Sequence, residues 1–156
     1  MTVTHHLAQL NIGRLRAPLD DPQIADFQAQ LAPVNALAEA APGFVWRLQD
    51  AQTGDATSFR PFEGDPLMMI NCSVWESLEA LWDFVYRTVH LDSMRRRREW
   101  FHRLAEAYTV LWWVPAGHLP TVGEALDRLA RLRTDGPGPE AFTFAQPHPA
   151  PVAVDR

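Results

Sequence analysis

Apolar residues recur along this chain with two different periods. In "HHLAQLNI" (5–12) they alternate, so that Ala8, Leu10 and Ile12 share one face of an extended strand while Leu7, Gln9 and Asn11 share the other. Beyond "RAPLDDP" the period becomes helical, with Ile24, Phe27, Leu31, Val34, Leu37 and Ala38 in step. Asp21 is placed to cap this helix and Pro22 to take its first position. The helix is expected to run to about Ala40 and to stop at Pro42 and Gly43, with Pro33 as a kink inside it.

"GFVWRLQD" (43–50) reads as a second strand, followed by the long polar connection "AQTGDATSFRPFEGDP". "LMMINCSVW" (67–75) is almost continuously apolar, the pattern of a central strand. Ser77 then caps "LEALWDFVYRTV", whose Leu78, Leu81, Val85 and Val89 form one stripe, and "MRRRREWFHRLAEA" is a further helical piece. "YTVLWWVP" (108–115) is a fourth strand, Thr121 caps "VGEALDRLARLRT", and "AFTF" makes a last short strand. This order predicts an α+β fold: a ferredoxin-like antiparallel sheet with helices on one face. Residues 1–145 form one domain and 146–156 a Pro-rich tail. The third and fourth strands are apolar on both faces, so the uncovered face calls for a second copy of the chain, a homodimer.

Composition narrows the chemistry. The 156 residues are 47% hydrophobic and 21% charged, an ordinary balance for one packed domain. A net charge of -5 works against a nucleic-acid partner. Cys72 is the single cysteine, which excludes an intramolecular disulfide and multi-cysteine metal patterns and fits a reducing compartment. With no signal-like segment and no long apolar run, a cytoplasmic protein without a membrane partner is expected. All fourteen basic residues are arginine, so lysine Schiff-base, pyridoxal and P-loop chemistry are ruled out.

Trp82, Tyr86 and His90 are spaced i, i+4, i+8 and predict an aromatic helix wall with two polar tips. His90 is the best acid/base candidate, with Tyr86 beside it. The strands are expected to supply the facing wall through Asn11 and Gln9, Trp46, Asn71, and Trp112 or Trp113. Asn71 stands out because a polar side chain in an apolar strand needs a partner, from the backbone or from a ligand. Arg95 to Arg98 must spread around their helix, since consecutive residues lie about 100° apart. Arg97, on a face with Met94 and Phe101, is the one expected to meet a ligand carboxylate, while the others dilute into solvent beside Asp92, Glu99 and Glu106. No histidine pair has metal-ligand spacing, and no serine elbow or Gly-rich phosphate loop is present.

The stretches "LAQLNIGRLRAPLDDP", "VNALAEAAPGFVWRLQ", "NCSVWESLEALWDFVYRTVH", "RRRREWF", "LWWVPAGHLPTVGEALDRLARL" and "GPGPEAFTF" together resemble the DUF3291 family, a domain of unknown function in the dimeric α+β barrel superfamily. The resemblance implies two ferredoxin-like chains pairing their sheets into a barrel, with a pocket in each between sheet and helices. It implies a binder of a small apolar or aromatic molecule, acting either as a cofactor-independent monooxygenase or isomerase or as a non-catalytic ligand-binding or interaction module. Fold alone selects neither. Haem-degrading relatives are a third reading: "VWESLEAL" resembles their strand-to-helix junction, and Asn11 falls where they place a first-strand asparagine. Phe84 stands where their helical tryptophan would be, however, and His90 comes several residues before their axial histidine. No cofactor is therefore expected.

Overall fold

The alternation of "HHLAQLNI" is realised in β1 (His5–Arg14), the strand on which the sheet is assembled. The computed structural model describes residues 4–88 and 91–152, with the side chains of all of these except 87, 88 and 91–95. Three further strands, β2 (Phe44–Arg47), β3 (Met68–Trp75) and β4 (Thr109–Pro115), complete an antiparallel sheet of order β2-β3-β1-β4. The predicted ferredoxin-like α+β arrangement is the observed one.

Local chemistry sets the helix boundaries. The Asp21 side chain accepts from the Gln23 amide, Pro22 opens a single 3-10 turn, and α1 (Ala25–Ala40) follows with Pro33 inside it. Ser77 accepts from the Ala80 amide to start α2 (Leu78–Asp83). That helix widens into a π-helical turn over Phe84–Thr88 before α3 (Leu91–Trp100). A π turn holds more residues than an α turn and so shifts the phase of the stripe. Phe84 joins Leu81 against the sheet, Val85 is half-buried, and Val89 lies outside the described residues. Thr121 caps α4 (Val122–Asp135) on the Glu124 amide, and Gly136, at φ 76°, ends it in the left-handed region that glycine tolerates.

The helices do not all lie on one face, contrary to the sequence expectation. α1, α2 and α3 cover the face bearing Leu7, Trp75 and Met69. α4 lies on the other, where Ala125, Leu129 and Leu132 pack with Leu10, Cys72, Val110 and Trp112. Ala56 and Phe59 of the long connection after β2 pack there too. Ala8, Leu10, Ile12, Val74, Val110 and Trp112 are each 0% exposed within a single chain. The uncovered apolar face, on which the homodimer was expected to form, is thus closed by the chain's own residues.

The C-terminal segment is tied to the sheet. "AFTF" forms no strand of its own; Phe142 instead exchanges two 2.8 Å backbone hydrogen bonds with Leu111 on the outer edge of β4. Farther on, the Trp113 indole donates to the His148 carbonyl at 2.8 Å. At the opposite edge β2 has four residues and a register shift between Phe44 and Trp46. In the arginine run Arg96 and Arg98 are exposed, as expected, and on the surface Arg96 joins α3 to α1 through Asp26 at 2.6 Å and also pairs with Glu99.

If α4 is a structural cover of the second face, removing its central anchor must leave a cavity against Trp112. Leu129→Ala should cost about 2–5 kcal/mol in urea unfolding, the range for truncating a buried leucine. A cost within about 0.5 kcal/mol, typical of surface changes, would show α4 to be an appendage.

Candidate functional site

On the face under α1–α3 the apolar packing falls into two separate clusters. One gathers Leu7, Trp75, Leu81, Phe84 and Leu111; the other gathers Leu15, Phe27, Met69, Trp100 and Phe101. Along β3 the step from Met69 to Trp75 spans roughly 20 Å, and between them the sheet is polar. Gln9 pairs with Ser73, and Asn11 with Asn71 on one side and Thr109 on the other. Since alternate residues share a face, these five side chains rise toward the same helical layer. The break in apolar cover therefore coincides with the polar rows.

Asn71 is the one exposed residue of β3, while its other seven residues are buried. Exposure in mid-strand, on a sheet with helices on both sides, means that the layer above Asn71 is open. The Gln9 amide nitrogen donates to Asn71 Oδ1 at 2.6 Å and to Ser73 Oγ at 2.8 Å, and the Trp75 indole also donates to Ser73 Oγ at 2.8 Å. These bonds use both Gln9 protons and fix the Asn71 carbonyl, leaving the Asn71 NH₂ to point at whatever occupies the opening. Asn11 is half-buried and has no side-chain hydrogen bond among the described residues. Two facing primary amides thus offer donors and an acceptor for which the described residues provide no partner.

The ends of the polar rows are framed by arginines. Beside Ser73, Arg47 is held by Glu39 of α1 at 2.8 Å. Beyond Asn11, Gly13 allows Phe101 to close on the strand: a Cβ there would meet the Phe101 ring at 2.7 Å. Arg97 lies over Phe101 and Tyr108, 4.8 and 5.0 Å from their ring centroids, and directs Nη2 toward the Ile12 carbonyl at 3.5 Å. Packed and half-buried, it brings a cation to the polar end of the opening.

Asn11, Asn71 and Arg97 are therefore on one face, as the sequence suggested, but the expected walls are divided. Trp46 is in register with Val74 and Trp112 with Ala8, so both side chains belong to the second face. Trp112 is fully buried there and donates to Glu124 Oε2 at 2.9 Å, while His118 meets Oε1 at 2.6 Å. Burial raises the Glu124 carboxyl, but the His118 and Trp112 hydrogen bonds outweigh it and hold the group below its usual value. Cys72 is on the same face; burial, with Glu124 adding to it, pushes its thiol up to about 12, in keeping with the packing role read from sequence.

Trp82 and Tyr86 stand on the outside of their helix, 42% and 50% exposed, stacked on each other at 4.1 Å. They form no inner wall of the opening, because Leu81 and Phe84 take the sheet-facing positions. His90 lies outside the described residues. Among those that are described, no group of three His, Cys, Asp or Glu side chains could hold a metal ion. No helix among them is long and apolar enough to cross a membrane.

The sequence profile of the domain of unknown function DUF3291 matches residues 6–156. The chain belongs to the DUF3291 family. Its matched span takes in the C-terminal segment that reaches back to Trp113. Among solved structures, this DUF3291 chain is similar to SnoaB, a cofactor-independent oxygenase from Streptomyces nogalater. The identity is 16%, with 74% of this chain and 98% of that one covered at a TM-score of 0.45. It is also similar to a protein of unknown function from Nitrosomonas europaea, at 15% identity over 76% of this chain and 97% of that one, with a TM-score of 0.45. Neither likeness bears on activity. No curated protein matches the sequence.

Ser73, Trp75, Arg47 and Tyr108 complete the surroundings and were not singled out from sequence. Ser73 and Arg47 had a legible signal, since both are polar residues within strands; Trp75 and Tyr108 looked like core. Ser73 holds two buried N–H donors at once. Ser73→Ala should therefore destabilise the protein by about 1–3 kcal/mol in urea unfolding, the cost of orphaning buried donors. No loss of stability would mean that Gln9 and Trp75 find other acceptors and that Asn71 is not fixed through them.

Proposed function

We propose that the opening over Asn11 and Asn71 is a small-molecule site. Its occupant is an apolar or aromatic compound whose carbonyl or anionic oxygen is held by the two amides, with Arg97 at the charged end. The observation that carries this reading is the exposed Asn71, whose carbonyl is fixed by Gln9 and whose NH₂ has no partner among the described residues. The aromatic and aliphatic clusters on either side provide apolar walls, which is how ligand sites commonly combine many apolar surfaces with few polar contacts.

On this reading the chain acts as a cofactor-independent oxygenase or isomerase. His90 removes a proton from carbon, and the amides stabilise negative charge developing on the adjacent oxygen. In an oxygenase the resulting carbanion supplies the electrons to molecular oxygen; in an isomerase the proton returns at another carbon. A non-catalytic ligand-binding module uses the same opening without the proton transfer.

The test is capture followed by turnover. Immobilised protein is exposed to a small-molecule extract of its native cells, and the retained compounds are identified by mass spectrometry. A compound with a conjugated carbonyl or phenolic oxygen is expected, held about tenfold less tightly by Asn71→Ala, as befits one lost hydrogen bond of about 1.4 kcal/mol. Capture of nothing, or equal capture by Asn71→Ala and Asn11→Ala, would sink the site. Oxygen uptake or isomerisation of the compound that disappears in His90→Ala identifies an enzyme, and binding without turnover identifies the module. A saturable Soret band with added hemin, lost in His90→Ala, would replace both with haem binding.

A further inference from the structure

A second cavity, of about 580 Å³, opens at the far end of the sheet on the opposite face from the amides. Phe62 and Leu104 give it an accessible apolar side above the buried Ile12 and Met68, and its volume is within the range of small-ligand sites. Charged side chains from two loops, a helix end and the end of β1 surround it. Most of them are neutralised in place. Arg14 directs both Nε and Nη2 onto Asp65 Oδ2, at 3.2 and 2.6 Å, and this contact holds the Asp65 carboxyl below its usual value. Arg133 donates to the Ala107 carbonyl at 2.8 Å and lies 3.7 Å from Glu106.

Two are left over. Arg103, on the segment after α3, and Glu63, in the connection before β3, both line the cavity, and neither has an ion-pair or hydrogen-bond partner among the described residues. The two opposite charges line the same cavity without forming an ion pair with each other. An occupant that bridges them needs an anionic and a cationic end separated by an apolar body. An extended dipeptide has its two termini roughly 7 Å apart and carries side chains suited to the apolar side formed by Phe62 and Leu104. We propose that this cavity binds a zwitterion of that class, a short apolar peptide, with its carboxylate on Arg103 and its ammonium on Glu63. Bidentate pairing of guanidinium with carboxylate supplies the orientation.

The test is calorimetric titration of the full chain with L-leucyl-L-leucine, with its N-acetyl form and with its C-terminal amide. Saturable binding of the free dipeptide is expected, weakened about tenfold or more, at least 1.4 kcal/mol, when either terminus is blocked. Arg103→Gln should weaken the free dipeptide while leaving the amide unaffected, and Glu63→Gln should do the same for the acetylated form. Both side chains are exposed, so these variants are expected to stay folded. Asn71→Ala, on the other face, should bind the dipeptide normally. Absence of saturable heat up to millimolar concentration would overturn the proposal. So would equal binding of the blocked forms, or indifference to Arg103→Gln. Loss of binding in Asn71→Ala instead would assign the dipeptide to the amide opening and end the case for a second site.

Discussion

Everything in this fold depends on β1 being buried on both sides. A strand in that position must satisfy two helical layers at once, and strict alternation is the means. Its even positions are apolar without exception from Ala8 to Ile12 and meet α4. Its odd positions begin apolar at Leu7, turn polar at Gln9 and Asn11, and lose their side chain altogether at Gly13. A one-residue slip would bury Gln9 and Asn11 under α4 and expose Leu10 to the opening, so register and site are specified together.

The polar stretch has a structural cost that the neighbouring residues offset. Gln9 and Ser73, which are buried, satisfy each other, and the Trp75 indole joins them. Among the described residues, the pair nearer the opening, Asn11 and Asn71, is satisfied only in part. That gradient, from a closed network beside the Trp75 cluster to unused amides beside the gap, separates scaffold from site within four residues of one face. Arg97 marks the other limit, its charge laid across two aromatic rings.

Most of the element order was legible in the sequence, because capping residues and period changes are local signals. Asp21, Ser77 and Thr121 all cap as their spacing indicates. The odd face of β1 was legible too, and with it Asn11 and Asn71. What could not be read was which helix covers which face. "VGEALDRLARLRT" shows an apolar stripe but not the sheet side it meets, so its place over Trp112 is given by the fold alone. Trp46 was misplaced because a register shift in β2 brings it into line with Val74. Trp82 and Tyr86 were misread for a related reason: i, i+4 spacing shows that two aromatic rings share a side of a helix, not that this side faces inward.

The two sheet edges bear on how such a protein can associate. An open edge strand invites another strand to add to it, in productive assembly or in aggregation. Here β4 has part of its outer edge occupied by Phe142, and β2 offers four residues interrupted by an irregularity. With neither edge presenting a long regular ladder, growth by strand addition is discouraged at both ends. Association with another molecule is left to side-chain surfaces, where specificity is set by shape and charge and not by the repetitive hydrogen bonding of main chain.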